Sequence, residues 1–363
     1  MAKITYQQTE FVQKRGGVFG ICLFVIICWC MALRQAVQAL PWEESLWLAY
    51  RDDLLVIGLA VGSFGTLVCF GCLMLRCIGL LVPSQWYSNL AGSMGGVAKA
   101  HTFSVLFLVA TLCCATPFII PEVGRYWGVG YESGMRAYGV LIFSDAQWWN
   151  PAWLYVRLLF TLIMAWGGGI MLQKNLHIGG VSLMLFLLVL VVGNLGFDLL
   201  AAPYESVQSI FPIYMVVSAL LAGLAAAMLP KAPAGRSGAM LMALVMIKLW
   251  LVYSLGMITW YARLPQELEC LGMVKDVQFG LALIIQLALP CVMLLVRQIR
   301  ENRRCLQAIS ACVIIGMMLE NYAWFDTLPH LSDGGSSWLL GGIVVLLCVI
   351  VLWCSLRKEG NHA

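Results

Sequence analysis

Five ionisable side chains stand inside long apolar stretches of the sequence: His101, Arg157, Asp198, Lys248 and Glu320. A charge surrounded by hydrocarbon is costly to place, so such residues tend to pair with one another or to serve ion and proton movement. Two carboxylates, Asp198 and Glu320, have the chemistry to take up and release protons. Asp198 follows Asn194 and Gly196, and Glu320 precedes Asn321 and Tyr322. Arg157 comes shortly after Trp149-Asn150-Pro151 and has Asp198 or Glu320 as possible counter-ions. Lys248 falls near the middle of its apolar stretch and requires a carboxylate or a water-filled cavity. The plainer reading is that these groups snorkel toward the interface or form static ion pairs.

The stretches that must position these residues dominate the chain. Of 363 residues, 61% are hydrophobic and only 11% charged, against about 25% charged in an average soluble domain. A soluble fold of this length has no interior large enough for that apolar surface. The composition therefore excludes a soluble enzyme, a disordered chain and a nucleic-acid-binding protein. The net charge of +4 is too small to point to anionic partners. Ten apolar spans are read at roughly 17–38, 54–82, 99–120, 152–173, 178–200, 207–229, 239–262, 276–298, 303–324 and 336–356, each near the ~20 residues that cross a bilayer. Pro117 and Pro290 interrupt the third and eighth, which membrane helices tolerate when neighbours satisfy the freed carbonyls. The first span lies too far from Met1, and lacks a small-residue cleavage site, to be a removed signal peptide.

Thirteen Lys and Arg residues fall on one side of these spans and six on the other. The bias places both termini in the cytoplasm. The expected architecture is an all-α, multi-pass membrane protein forming one polytopic domain over 1–363. Gly58 and Gly62, and the run Gly167-Gly168-Gly169, add small residues of the kind that let membrane helices approach closely.

Fourteen cysteines are present, nearly all within apolar spans, where cysteine behaves as a small hydrophobe. Cys69 and Cys72 form a CxxC with no second pair at zinc-site or cluster spacing, so no metal site is assigned. Of four histidines, His177, His330 and His362 lie in loops or the tail and only His101 sits in a span. That leaves too few for a bis-histidine haem. The chain is expected to bind no redox cofactor of its own.

Several segments resemble one family. Residues 248–267 read KLWLVYSLGMITWYARLPQE, and their Trp260-Tyr261-Ala262-Arg263-Leu264-Pro265-Gln266-Glu267 resembles a signature ending Trp-Tyr-Ala-Asn-Leu-Pro-Glu-Glu. Residues 148–157, WWNPAWLYVR, are similar to a Leu-Asn-x-x-Phe-Phe-x-x-Arg helix entry containing Asn150 and Arg157. Residues 198–214 and 316–329 resemble two further stretches, carrying Asp198 and Glu320. These are features of the NrfD-like quinone-interacting membrane subunits, and most of all the ActF-type subunit of alternative complex III, a quinol:cytochrome c oxidoreductase. The likeness spans roughly 54–330. Arg263 stands where the family has asparagine, Leu199 where it has tryptophan, and Lys248 is a charge the family does not usually carry, which marks a divergent member.

The resemblance implies two four-helix bundles, spans 2–5 over 54–200 and spans 6–9 over 207–324, with spans 1 and 10 peripheral. It implies a place in the bacterial cytoplasmic (inner) membrane, beside a related NrfD-like subunit and beneath a periplasmic iron–sulfur protein and multihaem c-type cytochromes. Haem and iron–sulfur clusters would belong to those partners, and a quinone or quinol would be the possible ligand. The expected role is a cofactor-free subunit of a quinol-oxidising complex that shapes a quinone site, a proton path or the scaffold. Asp198, Glu320, Arg157, Lys248 and His101 are the candidate path or site residues. Asn150, Trp260, Tyr261, Pro265 and Glu267 mark the outer face. A secondary transporter with buried charges is the reading from another class. Against it stands the absence of a Gly/Pro-broken helix pair at corresponding positions of two halves.

Overall fold

A computed structural model describes residues 45–82, 87, 90 and 93–99, part of 101–109, and then 151–172, 177–196, 210–229, 236–262 and 277–326. Every described element is helical. In chain order they are α1 (Ser45–Leu81), α2 (Pro151–Met171), α3 (Ile178–Gly196), α4 (Phe211–Met228), α5 (Arg236–Ala262), α6 (Val277–Leu283), a π-helical turn (Ile284–Ala288), α7 (Leu289–Leu295), α8 (Arg297–Glu301) and α9 (Arg303–Asp326). Helical residues are also described between 93 and 109. Among the described residues, five helices are long and apolar enough to cross a membrane: Leu59–Leu81, Ile178–Gly196, Phe211–Met228, Ser237–Met257 and Arg303–Trp324. Val156–Met171 and Phe279–Leu295 are shorter apolar helices. The described residues are thus all helical, with helices of the length and composition of a membrane protein, and these seven elements coincide with seven of the ten spans read from sequence. The spans at 17–38 and 336–356, and both termini, lie outside the described residues.

Two central helices organise the packing. From Leu221 through Met228 every residue of α4 is buried, as expected of a helix that is apolar all round. Its alanines and Gly223 keep it thin enough for neighbours on all sides. It crosses α1 where the two backbones touch. A Cβ added at Gly71 would lie within 3 Å of the Ala219 carbonyl, and one at Gly223 would lie 2.4 Å from the Gly71 carbonyl carbon. The Cys72 thiol reaches the Gly223 carbonyl at 3.5 Å at the same crossing. Gly62 and Gly65, on another part of α1, give the same close approach to Leu108 and Ser104. In the Gly167-Gly168-Gly169 run, only Gly168 faces a neighbour, the Met184 methyl and Leu73, while the other two have open space. Small residues at a crossing let helices gain dispersion contact in a lipid environment, where water supplies no driving force between them.

The helix ends at the arginine-rich side are closed by side chains, because a carbonyl left bare near hydrocarbon is costly. The Arg76 guanidinium donates to the Leu172 carbonyl at 3.0 Å at the end of α2. Gln307 Nε2 donates to the Leu229 carbonyl at 2.8 Å at the end of α4. Asn302, extended between α8 and α9, accepts from the Arg304 N–H at 3.0 Å and starts α9. The outward faces of α3 (Leu183, Phe186, Leu190) and α5 (Ile247, Trp250, Tyr253) are apolar and exposed, a surface suited to lipid.

Gly223→Val forces a backbone–backbone displacement and is expected to cost about 2 kcal/mol or more, in the range of overpacked cores. Gly167→Ala meets nothing within 4 Å and is expected to change stability by less than about 0.5 kcal/mol. Thermal unfolding of the two variants in detergent checks the contrast.

Candidate functional site

Lys248 lies at the middle of α5, pointing inward, and is fully buried. Its ammonium donates to Glu320 Oε2 on α9 at 2.7 Å and to Gln286 Oε1 at 3.1 Å. Both charges are withdrawn from the surface, with side-chain exposures of 0% and 3%. A fourth helix completes the site: the Tyr214 ring on α4 lies 5.0 Å from the ammonium, a cation–π contact. The carboxylate that Lys248 requires is therefore Glu320. This corrects the pairing of Arg157 with Glu320 considered from sequence. Arg157 is half-buried on α2, a helix packed against α1 and α3.

The π-turn explains how Gln286 reaches the pair. In this segment the Leu289 N–H bonds back to the Ile284 carbonyl, five residues earlier rather than four. Pro290, four residues after Gln286, has no N–H to offer the Gln286 carbonyl, so the ordinary ladder is already interrupted there. Such single π-turns are rare and occur often at functional sites. The opposite wall is α9, which comes in at Gly316: a Cβ there would lie 2.5 Å from Gln286 Cβ and 2.7 Å from its backbone nitrogen. Glu320 is one turn beyond Gly316 on the same face. A glycine at 316 thus lets the carboxylate sit beside the amide and the ammonium.

The neighbouring residue ties α9 to α1. Ser63 Oγ donates to Asn321 Oδ1 at 3.0 Å, and Asn321 Nδ2 donates to the Met317 carbonyl at 2.8 Å. One turn after Glu320 on the same face stands Trp324. Its ring stacks edge-on against Phe211 (4.9 Å between centroids) and Phe279 (5.5 Å). Phe211 in turn touches Tyr214 at 5.7 Å. The aromatic group closes the site at the end remote from the arginines.

Among the described residues not every buried polar atom is answered. Glu320 Oε1, Gln286 Nε2 and the Tyr214 hydroxyl are buried around the ammonium without a hydrogen-bond partner, as are the Ser218 and Ser310 hydroxyls and His101 Nδ1. His101 is half-buried with its ring edge-on to Phe64 at 6.4 Å. Among the other sequence candidates, Trp260 and Tyr261 fall in the last turn of α5, with Tyr261 strongly exposed. Asp198, Asn150, Pro265 and Glu267 lie outside the described residues. Among the described residues no group of three or more His, Cys, Asp or Glu is placed to hold a metal ion.

Gln286 and Tyr214 were not singled out from sequence. Gln286 had a readable signal, because it is the one amide or charge in the run from 279 to 295. Tyr214 had none, since an aromatic residue in an apolar helix is ordinarily packing. No protein-family model and no curated protein matches the chain.

Breaking the pair leaves an uncompensated charge inside the bundle, whereas removing both partners does not. Lys248→Met alone is therefore expected to destabilise by about 3–5 kcal/mol, and Lys248→Met with Glu320→Leu to recover most of that loss. Unfolding of single and double variants in detergent reads the coupling.

Proposed function

We propose that the chain is a cofactor-free membrane subunit of a quinol-oxidising respiratory complex of the alternative complex III kind, in a bacterial cytoplasmic membrane. Its NrfD-like sequence segments motivate the class. The observation that carries the reading is the Lys248–Glu320 pair held with Gln286 against a π-turn inside an apolar bundle. A merely structural helix bundle gains little from such a pair, since apolar residues of the same volume serve as well or better. A subunit that handles protons released by quinol oxidation has a use for a carboxylate and an ammonium that share one hydrogen bond. In this reading Glu320 and Asp198 exchange protons and Lys248 sets the charge balance of Glu320. Haem and iron–sulfur clusters belong to a periplasmic multihaem cytochrome and an iron–sulfur partner, and a second NrfD-like subunit lies alongside. A quinone is the small-molecule ligand.

A secondary transporter is the second reading. The π-turn with Pro290 favours it, because transporters bind substrates where membrane helices are interrupted. Solute flux into proteoliposomes by the purified chain supports transport. Co-purification with iron–sulfur and c-haem subunits supports the respiratory assignment.

Per assembled complex, Glu320→Gln and Asp198→Asn are expected to lower quinol-dependent electron transfer by about 10²-fold, the lower range for a lost proton-transfer group, and Glu320→Gln to reduce the yield of complex as well, because it leaves the Lys248 ammonium uncompensated. Quinol:acceptor turnover of the intact mutant complexes checks this, and wild-type turnover retires the assignment of these carboxylates.

A further inference from the structure

The unanswered polar groups are not scattered. Helices α4 and α9 run antiparallel, with Gln307 against the Leu229 carbonyl at the arginine-rich end and Trp324 against Phe211 at the other. By helical spacing Ser218 shares the face of Phe211 and Tyr214 on α4, and Ser310 shares the face of Gln307 and Trp324 on α9. The hydroxyls of Tyr214, Ser218 and Ser310 are buried and without a partner among the described residues. Glu320 Oε1 and Gln286 Nε2 lie at the head of the same row. From Glu320 to Ser310 is ten residues of α9, about 15 Å at 1.5 Å per residue.

Two observations set the serines of this row apart. Hydroxyls inside membrane helices usually bond back to the carbonyl one turn earlier. Thr66, Thr102 and Thr161 do so here, at 2.6, 2.9 and 2.8 Å. Ser218 and Ser310 do not. On the face of α4 that carries Ser218, the residues four and seven positions on, Ala222 and Ala225, are small and buried. The opposite end of the row differs: Phe211, Phe279 and Trp324 pack edge to face and are buried.

We propose that water enters the protein from the arginine-rich end along the α4–α9 seam, past Ser310 and Ser218, to the Lys248–Glu320 pair, and is stopped beyond it by the Phe211–Trp324–Phe279 group. Water is the ligand class that fits. The free groups are an ammonium hydrogen, an amide NH2 and hydroxyls around one free carboxylate oxygen, a donor-rich set unsuited to a metal cation. A buried water makes about three hydrogen bonds to groups that lack other partners. The pair then exchanges protons with one side of the membrane only. The inference concerns the pair on which the proposed function rests, but it is tested by access and not by electron transfer, so each can fail alone.

The test uses the full chain in oriented proteoliposomes, with Ser218→Cys and Ser310→Cys made separately. Both changes nearly conserve side-chain volume. A membrane-impermeant cationic methanethiosulfonate is applied to one face or the other, and modification is read cysteine by cysteine by peptide mass spectrometry. Native Cys69 and Cys72, buried on α1, serve as references. The thiolate is the reacting form and needs water to exist, so cysteines at 310 and 218 are expected to react faster than the references by about tenfold or more. Reaction is expected from the arginine-rich face alone, with 310 ahead of 218. Reaction no faster than Cys69 and Cys72, or reaction from the opposite face, overturns the proposal.

Discussion

Polar groups inside a membrane protein must find their partners within the protein, and the arrangement of this bundle follows from that constraint. Lys248 can occupy the centre of α5 only because Glu320 neutralises it and Gln286 shares its hydrogen bonds. Those three residues come from α5, α9 and the π-turn, so the pair fixes the mutual positions of three elements far apart in sequence. Tyr214 adds the fourth wall from α4. An isolated ammonium at that depth costs on the order of 3 kcal/mol or more, a large share of the stability of an ordinary domain.

The pair in turn depends on contacts that contain no charge at all. Gly316 lets α9 lie on the π-turn, and Gly71 with Gly223 lets α1 lie on α4. Without the first contact Glu320 is held away from Gln286. Without the second, the α1–α9 link through Ser63 and Asn321 loses its register. The electrostatics therefore rest on the absence of side chains at a few positions. This is a general feature of membrane bundles, in which close backbone approach replaces the hydrophobic effect as the packing force.

Much of this was legible in the sequence, for physical reasons. Membrane spans are the strongest pattern a sequence carries, since a long apolar run has one stable solution. The bounds of α2, α4 and α9 accordingly fall within a few residues of the apolar stretches that announced them. Lys248 and Glu320 stood out singly because charge is so rare in such runs. Their pairing was not legible, because two residues 72 positions apart leave no local trace of meeting. The break of the eighth span was credited to Pro290. The disturbance begins earlier, at Ile284, where the ladder lengthens by one residue. That segment packs against Gly316 of α9, a tertiary contact that no periodicity in α6 or α7 encodes.

The π-turn has one more consequence, for the phase of the helix that contains it. Accommodating one surplus residue rotates everything after Ala288 by about 100° relative to an uninterrupted α-helix. Phe279 before the turn and Leu294 after it both face the interior; the surplus residue moves Leu294 from about 60° on one side of Phe279 to about 40° on the other. The surplus residue acts as a phase adjuster. It lets one half of the helix answer the aromatic group near Trp324 and the other half answer α5. The two halves of the helix thereby keep their buried residues on one side while each meets a different neighbour, Trp324 for the first and α5 for the second.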